Sequence, residues 1–105
     1  MIIKEVLAQL AESQTGPIIK VLERGDQFKV IVLAFKKEMV LRAHQTPLKT
    51  KLVVIEGKVS YKEAGRLVVL DQFDDLEIPK KVLHSVEAIA DSICLLIQSQ
   101  EADKS

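Results

Sequence analysis

The chain has no tryptophan, one cysteine, one tyrosine, three phenylalanines and no excess of either charge, because fifteen acidic residues cancel fifteen basic ones. Each scarcity removes a class of function. Without a block of cations longer than a few positions there is no electrostatic footprint for nucleic acid or an anionic membrane. So few aromatics give no stacking platform for single-stranded bases. Cys94, being alone, forms no internal disulfide. The apolar start Met1-Ile2-Ile3 stops at Lys4-Glu5, short of a signal-peptide core or a membrane span. The expected compartment is the cytoplasm, with neither nucleic acid nor membrane as a partner. At 105 residues the chain has room for one domain around one core.

What is plentiful is Val, Ile and Leu, which suit strands or helices, so periodicity must decide. Ile3, Val6, Leu7 and Leu10 recur at helical spacing and Ser13 to Gly16 supplies a stop, which predicts one amphipathic helix over residues 2–13. Beyond Pro17 the pattern changes to short β-branched runs: 18–22, 28–35, 39–43, 52–55, 59–61, 67–70 and 93–97. Turn signals at Gly25-Asp26, Gly57-Lys58, Ala64-Gly65 and Asp74-Asp75 punctuate them at intervals typical of a sandwich or barrel. The expected organisation is an N-terminal helix within 1–15, a β-domain over 16–98 and a polar, fraying tail over 99–105.

Val30 to Leu33 and Leu52 to Ile55 are apolar at every position, so both faces of those strands must be covered. One short helix is too little to cover four such strands. Homodimerisation through a sheet face is therefore expected.

Both histidines fall on the frame of a known pattern. His44 lies thirteen residues before Gly57, and His84 follows Pro79 by five. The stretch Glu38 to Ala88 resembles the two-motif signature of the cupin superfamily, G-x5-H-x-H-x3-E-x6-G followed by G-x5-P-x-G-x2-H-x3-N. In the first motif Glu38 stands at the opening glycine, His44 and Thr46 at the two histidines, Thr50 at the glutamate and Gly57 at the closing glycine. In the second, Phe73 stands at the glycine, Pro79 at the proline, Lys81 at the next glycine, His84 at the histidine and Ala88 at the asparagine. The resemblance covers about half of the chain. It implies an all-β fold, the double-stranded β-helix or jelly-roll barrel, here with a short N-terminal helix. Gly57 is expected in a hairpin turn and Ile78-Pro79 entering a strand.

In that superfamily three histidines and a glutamate converge inside the barrel on iron, manganese, nickel or zinc. Two of the four positions here are Thr46 and Thr50, neutral hydroxyls that are poor ligands for borderline metals. Two readings of His44 and His84 follow: weak divalent-metal ligands, or neutral imidazoles lining a pocket and hydrogen-bonded to Thr46, Thr50 or water. The second is preferred because the anionic ligand is missing. The expected pocket is lined by His44, Thr46, Thr50, Leu52, Val54 and His84. Arg42, two before His44, joins them if the strand alternates strictly and turns to solvent if it bulges.

Cys94, in an apolar run, reads as a buried core thiol. Asp74, Asp75 and Glu77 read as a turn leading into Ile78-Pro79, and Lys36-Lys37 and Lys80-Lys81 as solvated turn charges. The preferred function is a non-enzymatic small-ligand-binding or regulatory barrel with a decayed metal centre and no cofactor. The alternative is a metal-dependent enzyme, an oxygenase or isomerase, using His44 and His84. A purely scaffolding dimer explains neither histidine.

Overall fold

The computed structural model describes residues 1–100, with the backbone but not the side chains of residues 43 and 44. One helix, α1 (Ile2–Glu12), precedes nine strands: β1 (Ile18–Arg24), β2 (Phe28–Phe35), β3 (Val40–His44), β4 (Lys49–Glu56), β5 (Val59–Glu63), β6 (Arg66–Leu70), β7 (Asp75–Ile78), β8 (His84–Ala88) and β9 (Ser92–Ser99). They form a five-stranded sheet in the order β1-β2-β9-β4-β7 and a four-stranded sheet in the order β3-β8-β5-β6. Every pairing is antiparallel.

Strand alternation explains how the two sheets share one core. Along β4, Thr50, Leu52 and Val54 are buried while Lys49 and Lys51 are exposed. In β9, Ser92, Cys94, Leu96 and Gln98 turn inward. The inward residues of both sheets, from Leu33 and Phe35 through Tyr61 and Val86 to Cys94, form one apolar cluster.

Of the two doubly apolar strands, β2 acquires its second cover from α1. Val6 and Leu10 of the helix pack on Val32 and Ala34 of β2, with Ile93 and Leu95 of β9 beside them. That cover leaves Ile55 and Ile97 each 38% exposed on the same sheet. The helix lacks a side-chain N-cap. Lys36 Nζ closes its other end, donating to the carbonyls of Ala11 at 3.2 Å and Ser13 at 2.9 Å. A cation there satisfies orphan carbonyls and opposes the negative end of the helix dipole. Lys36 is thus a helix-end residue, where a solvated turn charge was expected.

Two short strands depart from the expected pattern. Asp75 opens β7, whose Lys51↔Glu77 and Val53↔Asp75 pairs join it to β4. The acidic turn closes earlier, the Asp71 amide donating to Asp74 Oδ2 at 2.8 Å. Ile78-Pro79 therefore leaves a strand where it was expected to enter one. β8, from His84, is a full member of the second sheet although its sequence carries little β-propensity. At the other end, Ser99 still pairs with Phe28, and the Gln100 amide donates to the Gln27 carbonyl at 2.9 Å. The tail expected from residue 99 thus begins no earlier than residue 101, and 101–105 lie outside the described residues.

Backbone angles test the frame of the sequence comparison independently. Among the described residues, the non-glycine positions with positive φ are Glu38 (76°), Phe73 (71°) and Lys81 (59°). Each stands at a glycine of the two-motif signature, and Gly57, at the fourth, has φ 91°. L-residues with side chains rarely take this conformation. The turns have been retained where the glycines have not.

Candidate functional site

His84 opens β8, and its Cα partners are His44 on β3 and Glu63 on β5, while Glu63 is in turn paired with Arg66 on β6. One row across the four-stranded sheet thus carries an imidazole from each of two strands, a carboxylate and a guanidinium. The β5–β6 turn at Ala64-Gly65 sets this register, Gly65 taking φ 75°.

Three side chains of this row, those of His84, Glu63 and Arg66, cluster with Tyr61. The ring of His84, only 3% exposed, stacks on that of Tyr61 with centroids 5.8 Å apart. Tyr61 is fully buried, and its hydroxyl donates to Glu63 Oε2 at 2.5 Å. The guanidinium of Arg66 lies 5.7 Å from the Tyr61 ring centroid, and its Nε is 3.7 Å from Glu63 Oε1. Burial, reinforced by the bond to Glu63 and by that carboxylate's charge, raises the Tyr61 pKa; Arg66 opposes the shift. The phenol therefore stays protonated and donating at neutral pH.

His84 Nδ1 lies 3.1 Å from the Val82 carbonyl. A carbonyl oxygen can only accept, so in this contact Nδ1 carries the hydrogen.

Thr46 and Thr50 serve the loop between β3 and β4. The Leu48 amide donates to Thr46 Oγ1 at 3.2 Å, and Thr50 Oγ1 donates to the Leu48 carbonyl at 3.1 Å. Both are buried, at 9% and 1% exposed. The Lys81 amide donates to the Thr46 carbonyl at 2.8 Å, tying this loop to the one before β8. Leu52 and Val54 are fully enclosed in the apolar core. A register shift between Leu41 and His44 marks the bulge, and Arg42 is exposed along an open groove of about 540 Å³ with Ser13, Lys37 and Glu38. His44 is placed by its backbone alone, opposite His84.

Tyr61, Glu63 and Arg66 are the members sequence reasoning missed. Their signal is local: Tyr61 and Glu63 are two apart on one strand, and the two-residue turn sets Arg66 opposite Glu63. Their meeting with His84 depends on the β5–β8 pairing, which no local pattern reveals.

Cys94 is buried, and burial pushes its thiol up to about 12. It is a core residue with no thiolate at neutral pH. Among the described residues, no three His, Cys, Asp or Glu side chains converge where they could hold a metal ion. No described helix is long and apolar enough to cross a membrane.

Two antiparallel sheets with this strand order, closed around one apolar core, make a jelly-roll barrel of the cupin type. Comparison with solved structures agrees. An RmlC-like cupin from Desulfovibrio desulfuricans superposes with a TM-score of 0.74 at 21% identity, over 80% of this chain and 82% of that one. A cupin superfamily protein from Desulfitobacterium hafniense DCB-2 gives 0.77 at 17% identity, over 90% and 88%. KdgF from a Halomonas species gives 0.75 at 20% identity, over 84% and 82%. The chain is therefore a small cupin barrel in fold. No family model matches its sequence, and no curated protein does.

Proposed function

We propose that this chain is a non-enzymatic, small-ligand-binding or regulatory cupin of the cytoplasm, working as a homodimer without a resident catalytic metal. The observation that carries this reading is the use made of Thr46 and Thr50. At two of the four ligand positions of the signature stand hydroxyls already engaged with the amide and carbonyl of Leu48. A neutral hydroxyl bound in this way offers a divalent ion neither charge nor a soft donor. The residues present do not make up the three-histidine, one-carboxylate set, and no catalytic step is derived through a metal. On this reading the ligand meets the end of the barrel around His84, where Tyr61 and Glu63 gather, while Leu52 and Val54 are enclosed in the core behind it. The ligand expected there is a small, weakly polar molecule.

A second reading has an observation of its own. His44 and His84 are Cα partners, and the Nδ1 of His84 is held by the Val82 carbonyl, the kind of backbone contact that orients a metal-ligating imidazole. On that reading the chain is a metal-dependent oxygenase or isomerase with a reduced ligand set, held by His44 and His84.

Elemental analysis of protein purified without chelator or metal-affinity resin separates the two, run beside His44→Ala and His84→Ala. Metal far below stoichiometric, unchanged by either substitution and not restored by added iron, manganese, nickel or zinc, is the expected result. Near-stoichiometric metal abolished by either substitution would establish the second reading instead. A thermal-shift screen of small organic molecules then tests ligand binding, with His84→Ala expected to abolish any stabilisation found.

A further inference from the structure

Each sheet has two edges, and three of the four carry devices that discourage pairing. β1 has a register shift between Val21 and Glu23 and lies under α1, with Ile18 and Leu22 packed in the helix cluster. β3 is broken by the shift between Leu41 and His44. β7 is four residues long, exposes Asp75 and Glu77, and is followed at once by Pro79. Bulges, charges, proline and brevity are the usual protections of an edge. β6 has neither bulge nor proline, and its one charge, Arg66, stands at its first residue. Its pairing with β5 runs without a shift from Arg66 to Leu70, and Leu67 and Val69 are 61% and 45% exposed.

The direction of its backbone groups follows from the turn. In a hairpin closed by two residues, the flanking pair Glu63 and Arg66 is hydrogen-bonded, and pairs alternate thereafter. Val68 and Leu70 are therefore bonded to β5, while the N–H and C=O groups of Leu67 and Val69 face away from it. The outer face one strand further in is polar at the matching positions, Lys62 opposite Leu67 and Ser60 opposite Val69. The apolar strip is thus confined to the edge, which suits an added strand better than a packed face.

We propose that β6 is the self-association edge of this protein, two copies pairing β6 antiparallel about a twofold axis at Val68. This rests on the homodimer of the proposed function and gives it a strand edge in place of the sheet face expected from the sequence. The register is self-complementary: Leu67 of each copy meets Val69 of the other, in hydrogen-bonded pairs either side of the axis. Charge favours the same arrangement. Antiparallel pairing sets the basic end of one strand, Arg66, beside the acidic residue that follows the other, Asp71, whereas parallel pairing brings like ends together. A five-residue edge buries less than a standard interface, so the dimer is expected to be weak, in the micromolar range or above.

Sedimentation equilibrium of the full chain across that range tests the proposal. Leu67→Lys, and Val69→Pro, which removes an edge donor not used by β5, are each expected to weaken self-association at least about tenfold while leaving the far-ultraviolet spectrum unchanged. Register is tested by crosslinking. Val68→Cys places two thiols across the axis at the close spacing of a non-hydrogen-bonded pair, and mild oxidation is expected to give a covalent dimer. Leu67→Cys, which meets Val69 and not itself, is expected to give far less. A dimer that persists in folded Leu67→Lys protein overturns the β6 edge while leaving the homodimer standing. A monomer at every concentration overturns both, and leaves the edge to a strand from another protein.

Discussion

Lys81 occupies a left-handed backbone position that the cupin signature gives to glycine, and its amide holds the Thr46 carbonyl. The backbone bond survives any side chain, whereas the Cβ is strained there. The left-handed conformation costs an L-residue roughly 1–2 kcal/mol, against about 0.5–1 kcal/mol of extra chain entropy lost by glycine. Lys81→Gly is therefore expected to stabilise the protein by about 0.5–1 kcal/mol, read from its urea midpoint. Gly57 carries the opposite expectation. A Cβ at that position would overlap the Asp91 carbonyl and Ser92, whose buried hydroxyl accepts from the Lys58 amide. Gly57→Ala is expected to cost at least about 2 kcal/mol in the same measurement, because both φ and the space oppose it. Equal and opposite effects of the two substitutions would show that φ alone governs these turns and that the overlap at Gly57 costs nothing.

At the scale of elements, α1 has no independent means of support. Eleven residues without a side-chain N-cap are marginal as a helix in water. What holds it is the burial of Val6 and Leu10 on β2, with Lys36 at its C-terminus and an exposed Glu5–Lys20 pair at 3.3 Å adding little. Leu10→Ala is accordingly expected to cost about 2–4 kcal/mol and to speed amide exchange through α1 before it does so in β4 or β9. A loss below about 1 kcal/mol, with exchange unchanged, would mean that the helix is held by something other than this contact. Periodicity made α1 and β2 legible because each carries a pattern several residues long. β7 and β8 carry only Asp-Leu-Glu-Ile and His-Ser-Val-Glu-Ala, and they are strands because β4 and β5 offer them edges to pair with.

Across the whole molecule, the two weak acids of the core set the response to alkali. Cys94 is buried with its thiol pushed up to about 12 from 9.0, and Tyr61 is raised as well. In both the native state holds the proton more tightly than the unfolded chain. The stabilisation is complete below the unfolded pKa, and it is lost as pH rises through the folded one. No loss from these groups is expected below about pH 8.5, followed by a fall of up to about 1.4 kcal/mol per pH unit for each group as the unfolded thiol and then the phenol ionise. Comparing urea midpoints at pH 8 and pH 10.5 checks this, with Cys94→Ala expected to flatten the first part of the fall. A slope unchanged by that substitution would assign the effect to other groups.

By itself the sequence determined the class of fold, the helix, the longer strands and the frame of the two motifs. These rest on local periodicity and on spacing, which also set Glu38, Phe73 and Lys81 at glycines of the signature. Only the tertiary structure decided what fills the interior. That Thr46 and Thr50 hold Leu48, that Tyr61 and Glu63 gather at His84, and that β6 has an unprotected edge all follow from which strands pair and in what register. Register is set by contacts between residues far apart in the chain. A side chain's partner across a sheet is therefore invisible to any pattern read along one strand.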